Sequence, residues 1–381
     1  MKRYDVLVIG GGPVGSHVGA GLAKAGLDVA VLEKKTDTSS PVCCTGLVST
    51  DCVERFPVPP ELIVNRFKDA VIVSPSGREI SVRRDQVQAV CIDRSRYDSW
   101  MANQAVESGV EYLGGHLVSG LSVHHDGVTV KVQKGSASQL FESRVIVLAS
   151  GFGGNLASSV GMGKAGDWKM GVQSEVELCK ETTVRIYVSR HFAPGAFAWL
   201  VPLDTERGLA GLITKKNTRR HFGRFLDQLY SDGRIQSKPV ETMIRGITTH
   251  SPPRTFTDRV LLVGDGAGQV KPLTGGGIYY GLQCGEIAID CLKNAFQKND
   301  FSAGYMSLYQ REWRKLLGRE LSVSYQAARF YGGLSDGWLE RLLKVAARRN
   351  LFNNLAGDSG LLFDWHSQVI IKAARRFLLN I

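Results

Sequence analysis

Two short, mostly apolar runs mark the first part of the chain. Residues 4–9 form one such run, and residues 29–32 form another. Short runs that are apolar on both faces indicate buried strands. Between them, residues 14–25 have the composition of a helix that ends near Gly26. The pattern therefore predicts a strand–helix–strand unit.

The pattern changes in the middle of the chain and again near residue 260. Residues 67–84 have the pattern of a hairpin with its turn at 74–77, and residues 168–213 contain further alternating segments. Alternation of apolar and polar positions predicts strands with one buried face. Residues 260–263 form another buried run, and 278–292 form the helix that follows it. Beyond about residue 300 the chain is helical in pattern.

Glycines close the first predicted strand in the order G-x-G-x-x-G. Gly10 permits the tight turn, Gly12 lets backbone approach a pyrophosphate, and Gly15 allows the helix to pack closely on the strand. Glu33, at the end of the second strand, can accept hydrogen bonds from a ribose 2′-hydroxyl. The features together predict a dinucleotide site without separating FAD from NAD. The predicted cofactor-binding residues of this unit are Gly10, Gly12, Pro13, Val14, Gly15, Glu33 and Lys34.

Composition and charge narrow the classes of protein. Among 381 residues, 43% are hydrophobic and 22% are charged, as in ordinary globular proteins. Seven cysteines, without zinc-type spacing and without a secretory leader, indicate free thiols in a reducing cytoplasm and no metal site. The formal charge of +11 favours anionic substrates or an anionic membrane surface, and no nucleic-acid motif accompanies it. No apolar run is long enough for a transmembrane helix.

A second glycine-rich segment follows the predicted strand at 260–263. Asp265, at the end of that strand, can hold the hydroxyls of a ribityl chain. Glycines at the N-terminus of the next helix can approach a flavin ring closely, and the helix end stabilises negative charge on the ring. The predicted flavin-binding residues here are Gly264, Asp265, Pro272, Gly275, Gly276, Gly277 and Ile278.

The string GDGAGQVKPLTGGGIYYGLQCGE at 264–286 resembles the geranylgeranyl reductase family. With the N-terminal unit, it places the chain near the FAD proteins of the hydroxylase-like glutathione-reductase class. The resemblance extends to Asp93-Arg94 and implies that Arg94 contacts FAD; a surface or capping charge is the alternative. Hydroxylases of this class carry Asp-Gly where this chain has Ser150-Gly151. The serine in place of the aspartate disfavours a monooxygenase function. Gly151 then remains as the predicted residue at which the backbone approaches the cofactor closely.

The same family carries a Tyr/Phe-x-Trp-x-Phe-Pro motif that matches residues 197–202. The resemblance implies that Phe197, Trp199 and Pro202 bind substrate. Phe197 and Trp199 share one face of a strand because the side-chain period is two, so they line an isoprenoid channel or belong to the core. Phe197, where Tyr is usual, and Val201, where Phe is usual, depart from the motif.

Two adjacent cysteines stand in the segment PVCCTGLVS at 41–49. The family carries a Pro-x-x-Cys-x-Gly-like segment here, which implies that Cys44, Thr45 and Gly46 lie near the flavin. Cys44 is therefore the predicted catalytic residue, which shapes the site or assists proton delivery. Small buried packing is the alternative for Cys44, and Cys43 is expected to point away.

These elements predict an α/β fold with a Rossmann-like FAD-binding domain, an inserted antiparallel β-sheet substrate domain and a helical C-terminal region. The predicted boundaries are 1–65, 86–165 and 255–298 for the FAD-binding domain, 66–85 and 166–254 for the sheet, and 299–381 for the helices. Amphipathic stripes near Trp338 and Trp365 either pack on the core or place the pocket at a membrane surface.

The resemblance implies a reductase that saturates carbon–carbon double bonds of an isoprenoid lipid or diphosphate by hydride transfer from reduced FAD. The external electron donor, NAD(P)H or ferredoxin, is left open, as is a transient electron-donor protein. The alternatives are a flavin monooxygenase, a quinone-linked flavoprotein dehydrogenase and a prenyl-lipid carrier without flavin chemistry. The expected location is the cytoplasm, with peripheral contact at the inner face of the membrane as a further hypothesis.

Overall fold

The computed structural model describes residues 2–349 and 363–378, and in residues 373–378 it describes the backbone alone. In this part of the chain the strands form three sheets. The helices are α1 (Pro13–Lys24), α2 (Thr50–Arg55), α3 (Arg94–Glu107), α4 (Leu156–Ser159), α5 (Thr218–Ser231), α6 (Ile278–Lys298), α7 (Ala303–Gly333), α8 (Asp336–Arg348) and α9 (His366–Leu378).

The first sheet contains the parallel core of the fold. Its strands are β1 (Arg3–Ile9), β2 (Val29–Leu32), β8 (Glu111–Leu113), β9 (Leu117–Val123), β10 (Val128–Lys134), β11 (Ala137–Leu148), β17 (Phe256–Thr257) and β18 (Val260–Leu262). β1 pairs in parallel with β2 and with β11, and β11 pairs in parallel with β18. The carboxyl ends of these four strands therefore meet at one edge, which is where ligands bind in open α/β sheets.

Burial on both faces explains why the first strand is a continuous apolar run. Val6 and Val8 pack in one hydrophobic cluster, while Leu7 and Ile9 pack in another on the opposite face. The predicted strand–helix–strand unit is confirmed, with each boundary shifted by one residue at most. The predicted helix at 278–292 is also confirmed, but α6 continues to Lys298.

The second sheet has one face against a helix and one face toward a cavity. Its strands are β5 (Ala70–Val73), β6 (Glu79–Val82), β12 (Asp167–Glu177), β13 (Val184–Tyr187), β14 (Ala198–Pro202), β15 (Arg207–Thr214) and β16 (Met243–His250). Helix α5 covers one face through Phe225, which is fully buried against the rings of Tyr187 and Phe192. The predicted hairpin of β5 and β6 is confirmed, with its turn closed by the bond from Gly77 N–H to the Ser74 carbonyl.

A third sheet anchors the loop with the two cysteines. It consists of β3 (Leu47–Ser49), β4 (Ile63–Phe67) and β7 (Ala89–Ile92), with β7 antiparallel to both neighbours. Gly46 precedes β3 in a left-handed conformation, φ +67°, and its carbonyl accepts the N–H of Ile92. A Cβ at this glycine would lie 2.1 Å from the Ile92 carbonyl oxygen, so a side chain is excluded here.

Helices α6 and α7 connect the first sheet to the C-terminal part of the chain. α6 approaches α1 so closely at Gly281 that a Cβ there would lie 2.5 Å from a methyl group of Val14. Trp313 of α7 is buried and donates its Nε1–H to Thr255 Oγ1 at 2.9 Å. The contacts hold α7 against the strand that leads into the second glycine-rich segment.

The described residues include only part of the C-terminal amphipathic stripes. In α8, Leu339 is the buried residue, whereas Trp338 is 56% exposed. Trp365 packs against the core cluster of the first sheet. The predicted stripe also includes Leu362, which lies outside the described residues. The predicted domain boundaries stay a prediction; the strands of the second sheet fall at 70–82 and 167–250.

Candidate functional site

One large cavity lies at the carboxyl edge of the first sheet. Its volume is about 1090 Å³, and all three sheets and the C-terminal segment contribute to its lining. The predicted site residues that line it are Gly10, Gly12, Pro13, Val14, Gly15, Glu33, Lys34, Cys44, Thr45, Arg94, Gly151, Phe197, Trp199, Gly264, Asp265, Gly275, Gly276, Gly277 and Ile278. Segments far apart in sequence thus converge on a single cavity.

Three predicted site residues do not line this cavity. Gly46 turns the cysteine loop onto β7, as described above. Pro202 ends β14, where its carbonyl accepts a hydrogen bond from Asn65 Nδ2. Pro272 is buried between Lys271 and the glycines at 275–277 in the chain. The predicted binding roles of these three residues stay a prediction.

The N-terminus of α1 is open toward the cavity. Gly10 has φ +107°, and a Cβ at Gly15 would lie 1.9 Å from the Gly10 carbonyl oxygen, so neither position accepts a side chain. Gly12 is the N-cap, and no side chain caps the helix. A Cβ at Gly12 would meet no atom within 4 Å. The positive helix end and its open space suit a phosphate group.

Glu33 holds the glycine loop as well as lining the cavity. Its carboxylate accepts the N–H of Gly11 at 2.7 Å and the N–H of Lys35 at 2.9 Å. Tyr112 donates its hydroxyl to the Gly11 carbonyl at 2.8 Å. Burial, followed by the charge of Glu33, raises the pKa of Tyr112 above 10, so the hydroxyl stays a donor. A carboxylate with four acceptor directions still has capacity for a ribose hydroxyl.

The second glycine segment places another uncapped helix end at the same cavity. Gly277 is the N-cap of α6, and no side chain caps this helix. A Cβ at Gly277 would lie 2.6 Å from Asp265 Oδ1, so the carboxylate and the helix end are close neighbours. Arg245 of β16 donates to Asp265 Oδ2 at 3.3 Å. Sequence reasoning missed Arg245, because only the pairing of β12 with β16 brings it to this edge.

A buried ion pair fixes the loop that precedes α6. The Lys271 N–H donates to the Gly276 carbonyl, and the Gly275 N–H donates to the Lys271 carbonyl. The Lys271 ammonium pairs with Asp364 of the C-terminal segment. Asp364 also accepts from Ser49 Oγ at the end of β3, and its carbonyl accepts the hydroxyl of Tyr280 at 2.6 Å. Asp364 therefore joins the glycine loop, the strand that follows the cysteines and the C-terminal segment. No sequence motif marked either charge as part of the site.

The C-terminal segment contributes part of the cavity lining. Phe363, Asp364, His366 and Val369 all line it. Burial, followed by the charge of Lys271, lowers the pKa of His366 to about 3, so its imidazole is neutral at physiological pH. Its Nδ1 atom is buried without a partner in the described part of the chain. The imidazole therefore presents a neutral polar group within a largely apolar wall.

Both cysteines line the cavity, so the expectation that Cys43 points away is wrong. The Cys43 thiol faces the second sheet, where the carbonyl of Met243 accepts it at 3.4 Å. Burial raises the pKa of Cys43 to about 12, so this thiol stays protonated. Cys44 is half-buried and interacts through its side chain with Arg94. The two neighbouring thiols therefore have different partners.

Arg94 is buried, which excludes the alternative of a surface charge. It begins α3 and pairs with Asp98 one turn later, with Nη2 and Oδ1 2.7 Å apart. Burial acts to lower the pKa of Arg94, but the interactions with Cys44 and Asp98 outweigh it and raise the pKa above its ordinary value. The N-cap of α3 is Asp93 rather than Arg94.

The cavity face of the second sheet consists of three rows of side chains across the strands. The row nearest the first sheet contains Arg245, Gly171, Ile213 and Phe197. The middle row contains Met243, Gln173, Gly211, Trp199, Ile186 and Ile72. The third row contains Val201, Val184, Ala70 and Val82. Most of these side chains are apolar, and the rings of Phe197 and Trp199 lie 5.8 Å apart.

Two negative observations concern the described residues. They contain no group of three or more His, Cys, Asp or Glu side chains that could hold a metal ion. Among their helices, none combines the length and the apolar character that crossing a membrane requires.

Comparison with known families gives two matches. Residues 3–49 match a family described as FAD binding domain, and residues 67–322 match a family described as tryptophan halogenase. The first match covers the strand–helix–strand unit and the cysteine loop. The second covers about two thirds of the chain.

Individual relatives cover nearly the whole chain. The chain is 29% identical over 355 residues to digeranylgeranylglycerophospholipid reductase of Methanocaldococcus jannaschii, with 90% of each protein covered. It is 28% identical over 380 residues to digeranylgeranylglycerophospholipid reductase 2 of Methanopyrus kandleri, with 93% of each covered. The crystal structure of a geranylgeranyl bacteriochlorophyll reductase-like protein from Thermoplasma acidophilum superposes with a TM-score of 0.86 and 22% identity. That alignment covers 98% of this chain and 96% of the other.

The cavity fits FAD, which the family matches identify as the cofactor. Gly12 leaves open space at the end of α1, which a phosphate requires. Asp265 and the uncapped end of α6 lie together at the opposite glycine segment. The chain thus provides both ends of an extended dinucleotide with helix termini, and the fold agrees with the predicted α/β class.

We expect the Lys271–Asp364 pair to control FAD affinity through the glycine loop. Asp364→Asn leaves a buried ammonium without its counter-charge, so we expect a loss of about 3–5 kcal/mol of unfolding free energy. We also expect weaker FAD binding, because the Lys271–Gly276 loop loses its anchor. Denaturant unfolding and flavin-fluorescence titration measure the two effects.

Replacing both charges tests this explanation. Lys271→Met with Asp364→Leu should restore most of the stability, since no unpaired charge remains. Glu286→Gln is the control, because its partner Arg55 is 47% exposed and exposed pairs contribute about 1 kcal/mol or less. Wild-type stability and FAD affinity in Asp364→Asn would show that the pair has no such role.

Proposed function

We propose that the chain saturates carbon–carbon double bonds of prenyl lipids. It belongs to the family described as tryptophan halogenase, and it is an FAD-dependent oxidoreductase of geranylgeranyl reductase type. One observation carries the proposal. A single cavity joins two uncapped helix ends, which suit a dinucleotide, to an apolar sheet wall, which suits an isoprenoid chain. The relatives named above support the lipid class of the substrate.

The proposed roles of the cofactor-binding residues follow from their positions. The end of α1 at Gly12 and Gly15 would receive the pyrophosphate, and Glu33 would accept from the ribose. Asp265 would hold the ribityl hydroxyls, and Gly275–Gly277 would lie against the flavin ring. When bound and reduced, FAD supplies hydride chemistry, which the protein orients and shields from water.

The apolar rows of the second sheet would bind the isoprenoid chain. Phe197, Trp199 and Ile186 present hydrocarbon to the cavity, and the third row extends this surface away from the first sheet. An unactivated alkene carries no group for hydrogen bonding, so orientation depends on the shape of this wall. Lys68 and Arg84 also line the cavity, where cations favour an anionic headgroup.

The first experiment is anaerobic reoxidation of the reduced holoenzyme. We expect a geranylgeranyl ether phospholipid or geranylgeranyl diphosphate to restore the oxidised flavin absorption at roughly 450 nm. The product should gain two hydrogens for each double bond that is saturated. Comparing the two substrates separates a lipid reductase from a diphosphate reductase. Reoxidation by oxygen or quinone alone would contradict the proposal and favour a monooxygenase or a quinone-linked dehydrogenase.

Cys44 is proposed to assist at the reacting alkene. Its thiol lies on the cavity wall beside Arg94, whereas the neighbouring Cys43 thiol is bound to the sheet backbone. A neutral thiol can exchange protons with a substrate carbon or with water.

The adjacent cysteines form a matched pair for mutation. We expect Cys44→Ala to slow the anaerobic reoxidation by about 10²-fold or more, the size typical of a lost acid–base group. Cys43→Ala should change the rate much less, since its thiol serves a structural bond. FAD affinity, measured alongside, should stay near wild type in both variants. Equal reoxidation rates in the two variants would contradict the proposal that Cys44 takes part in the chemistry.

A peripheral membrane contact is the remaining hypothesis about the partner. Phe330 is 68% exposed and Trp338 is 56% exposed, and both belong to the helices that follow residue 300. Exposed arginines accompany them, with the Arg341 guanidinium 5.4 Å from the Trp338 ring. Aromatic and cationic side chains together favour an anionic lipid surface.

Vesicle sedimentation checks this hypothesis. We expect Phe330→Ser with Trp338→Ser to reduce binding to vesicles that contain anionic lipid. Tyr230→Ser on α5, at a residue that is 54% exposed, is the matched control and should bind like wild type. Unchanged sedimentation of the double variant would exclude this surface as the contact.

A further inference from the structure

Two polar side chains interrupt the apolar middle row of the second sheet. Gln173 on β12 lies directly opposite Gly211 on β15, and Gly211 lies directly opposite Trp199 on β14. Met243 and Ile186 continue the row on either side. Directly opposed residues of antiparallel strands present their side chains on the same face, so both polar groups face the cavity.

Each of these two side chains has one atom that lacks a hydrogen-bond partner among the described residues. Gln173 Oε1 and Trp199 Nε1 are both buried and unbonded within the described residues. Gln173 is 1% exposed, so the amide is removed from bulk water. Buried amide and indole groups nearly always find a partner, because the bonds that they make with water must be replaced. The two orphan atoms therefore point to a ligand.

Gly211 brings the two groups together. A Cβ at this position would lie 2.5 Å from Trp199 Cε2 and 2.3 Å from Cζ2, so the indole lies across the glycine. Cε2 is bonded to Nε1, so this edge of the ring lies over Gly211, the residue that is paired with both Gln173 and Trp199. Strands β12 and β14 are roughly 10 Å apart, two strand spacings, and the indole extends across the strand between them. The two orphan atoms therefore belong to side chains that flank one glycine.

We propose that Gln173 and Trp199 form a neutral hydroxyl-binding subsite in the cavity wall. The indole N–H donates to the hydroxyl oxygen, and the hydroxyl donates to Gln173 Oε1. The hydroxyl comes either from an ordered water that stays when the chain binds or from an alcohol group of the substrate. The inference rests on the proposed function, since an apolar chain on this wall would otherwise leave both atoms unbonded.

The charge of the subsite and its numbers of unbonded donors and acceptors favour a hydroxyl over a phosphate. The pair offers one donor and one acceptor, and a hydroxyl group is both acceptor and donor at a single oxygen. A phosphate oxygen would meet the lone pairs of Gln173 Oε1. Arg245, in the neighbouring row, is already paired with Asp265. The subsite therefore lacks the cation that a phosphate requires.

Binding to the oxidised holoenzyme tests the subsite without turnover. The probes are geranylgeraniol and its methyl ether, which keeps the oxygen but cannot donate. We expect wild type to bind the alcohol about tenfold more tightly, the value of one hydrogen bond. Gln173→Leu and, as a second variant, Gln173→Met should abolish this preference, and Trp199→Phe should weaken both probes. Met243→Leu, in the same row, is the control and should keep the preference.

A crystal structure of the oxidised holoenzyme distinguishes the two sources of the hydroxyl. Preference for the alcohol, lost in the Gln173 variants, assigns the hydroxyl to the substrate. Equal binding of the two probes, with a water bonded to both Oε1 and Nε1, assigns it to the solvent. Equal binding without an oxygen at hydrogen-bonding distance from both atoms overturns the subsite. Failure of the reductase test leaves these binding results readable, because they require no reduction.

Discussion

Two helix ends without side-chain caps face one cavity, and the arrangement of the site depends on this constraint. The free N–H groups and the helix dipoles at Gly12 and Gly277 need negative charge or electron-rich atoms as partners. A dinucleotide satisfies both ends at once, so the ends must keep a fixed separation. The parallel strands β1, β2, β11 and β18 fix the first end, because their carboxyl termini share one edge. The Lys271–Asp364 pair fixes the loop at the second end.

The second sheet has a different role. It presents apolar side chains to the cavity while the cavity stays open. Its side chains alternate, so Val172, Leu200 and Leu212 pack under α5 while the intervening residues face the cavity. Packing on one face therefore holds the other face open. The glycines of the cavity face are part of this arrangement. Gly211 makes room for the indole of Trp199, and at Gly246 a Cβ would lie 1.9 Å from the Phe152 ring. Aromatic rings thus lie flat along the wall instead of filling the cavity.

Local sequence signals predicted the glycine turns, the buried strands and the convergence of the two glycine segments. Gly15 was predictable because its close approach, to the Gly10 carbonyl, is local to one turn. Gly10 was predictable from the same motif, although the backbone that it approaches is that of Ala149, directly after β11. Arg245 was not predictable from sequence. Its place depends on the register of β16 against β12, and the two strands lie some 70 residues apart in the chain. Asp364 was not predictable either, because a single buried carboxylate has no sequence pattern of its own. It is recognised only when its ion-pair partner, Lys271, is known. Pro202 and Pro272 belong to segments that reach the cavity but do not themselves line it, a difference that a motif match does not reveal.

The two adjacent cysteines show how a step of one residue changes the surroundings of a thiol. The chain bends at Cys43, where the Cys44 N–H donates to the Val42 carbonyl at 2.9 Å, so the two thiols meet different surroundings although both cysteines line the cavity. Cys43 meets the carbonyls of the second sheet, and its burial keeps it protonated. Cys44 meets Arg94, a cation that is itself held by Asp98. The two thiols therefore differ in their partners, which are a backbone carbonyl for Cys43 and a buried guanidinium paired with Asp98 for Cys44.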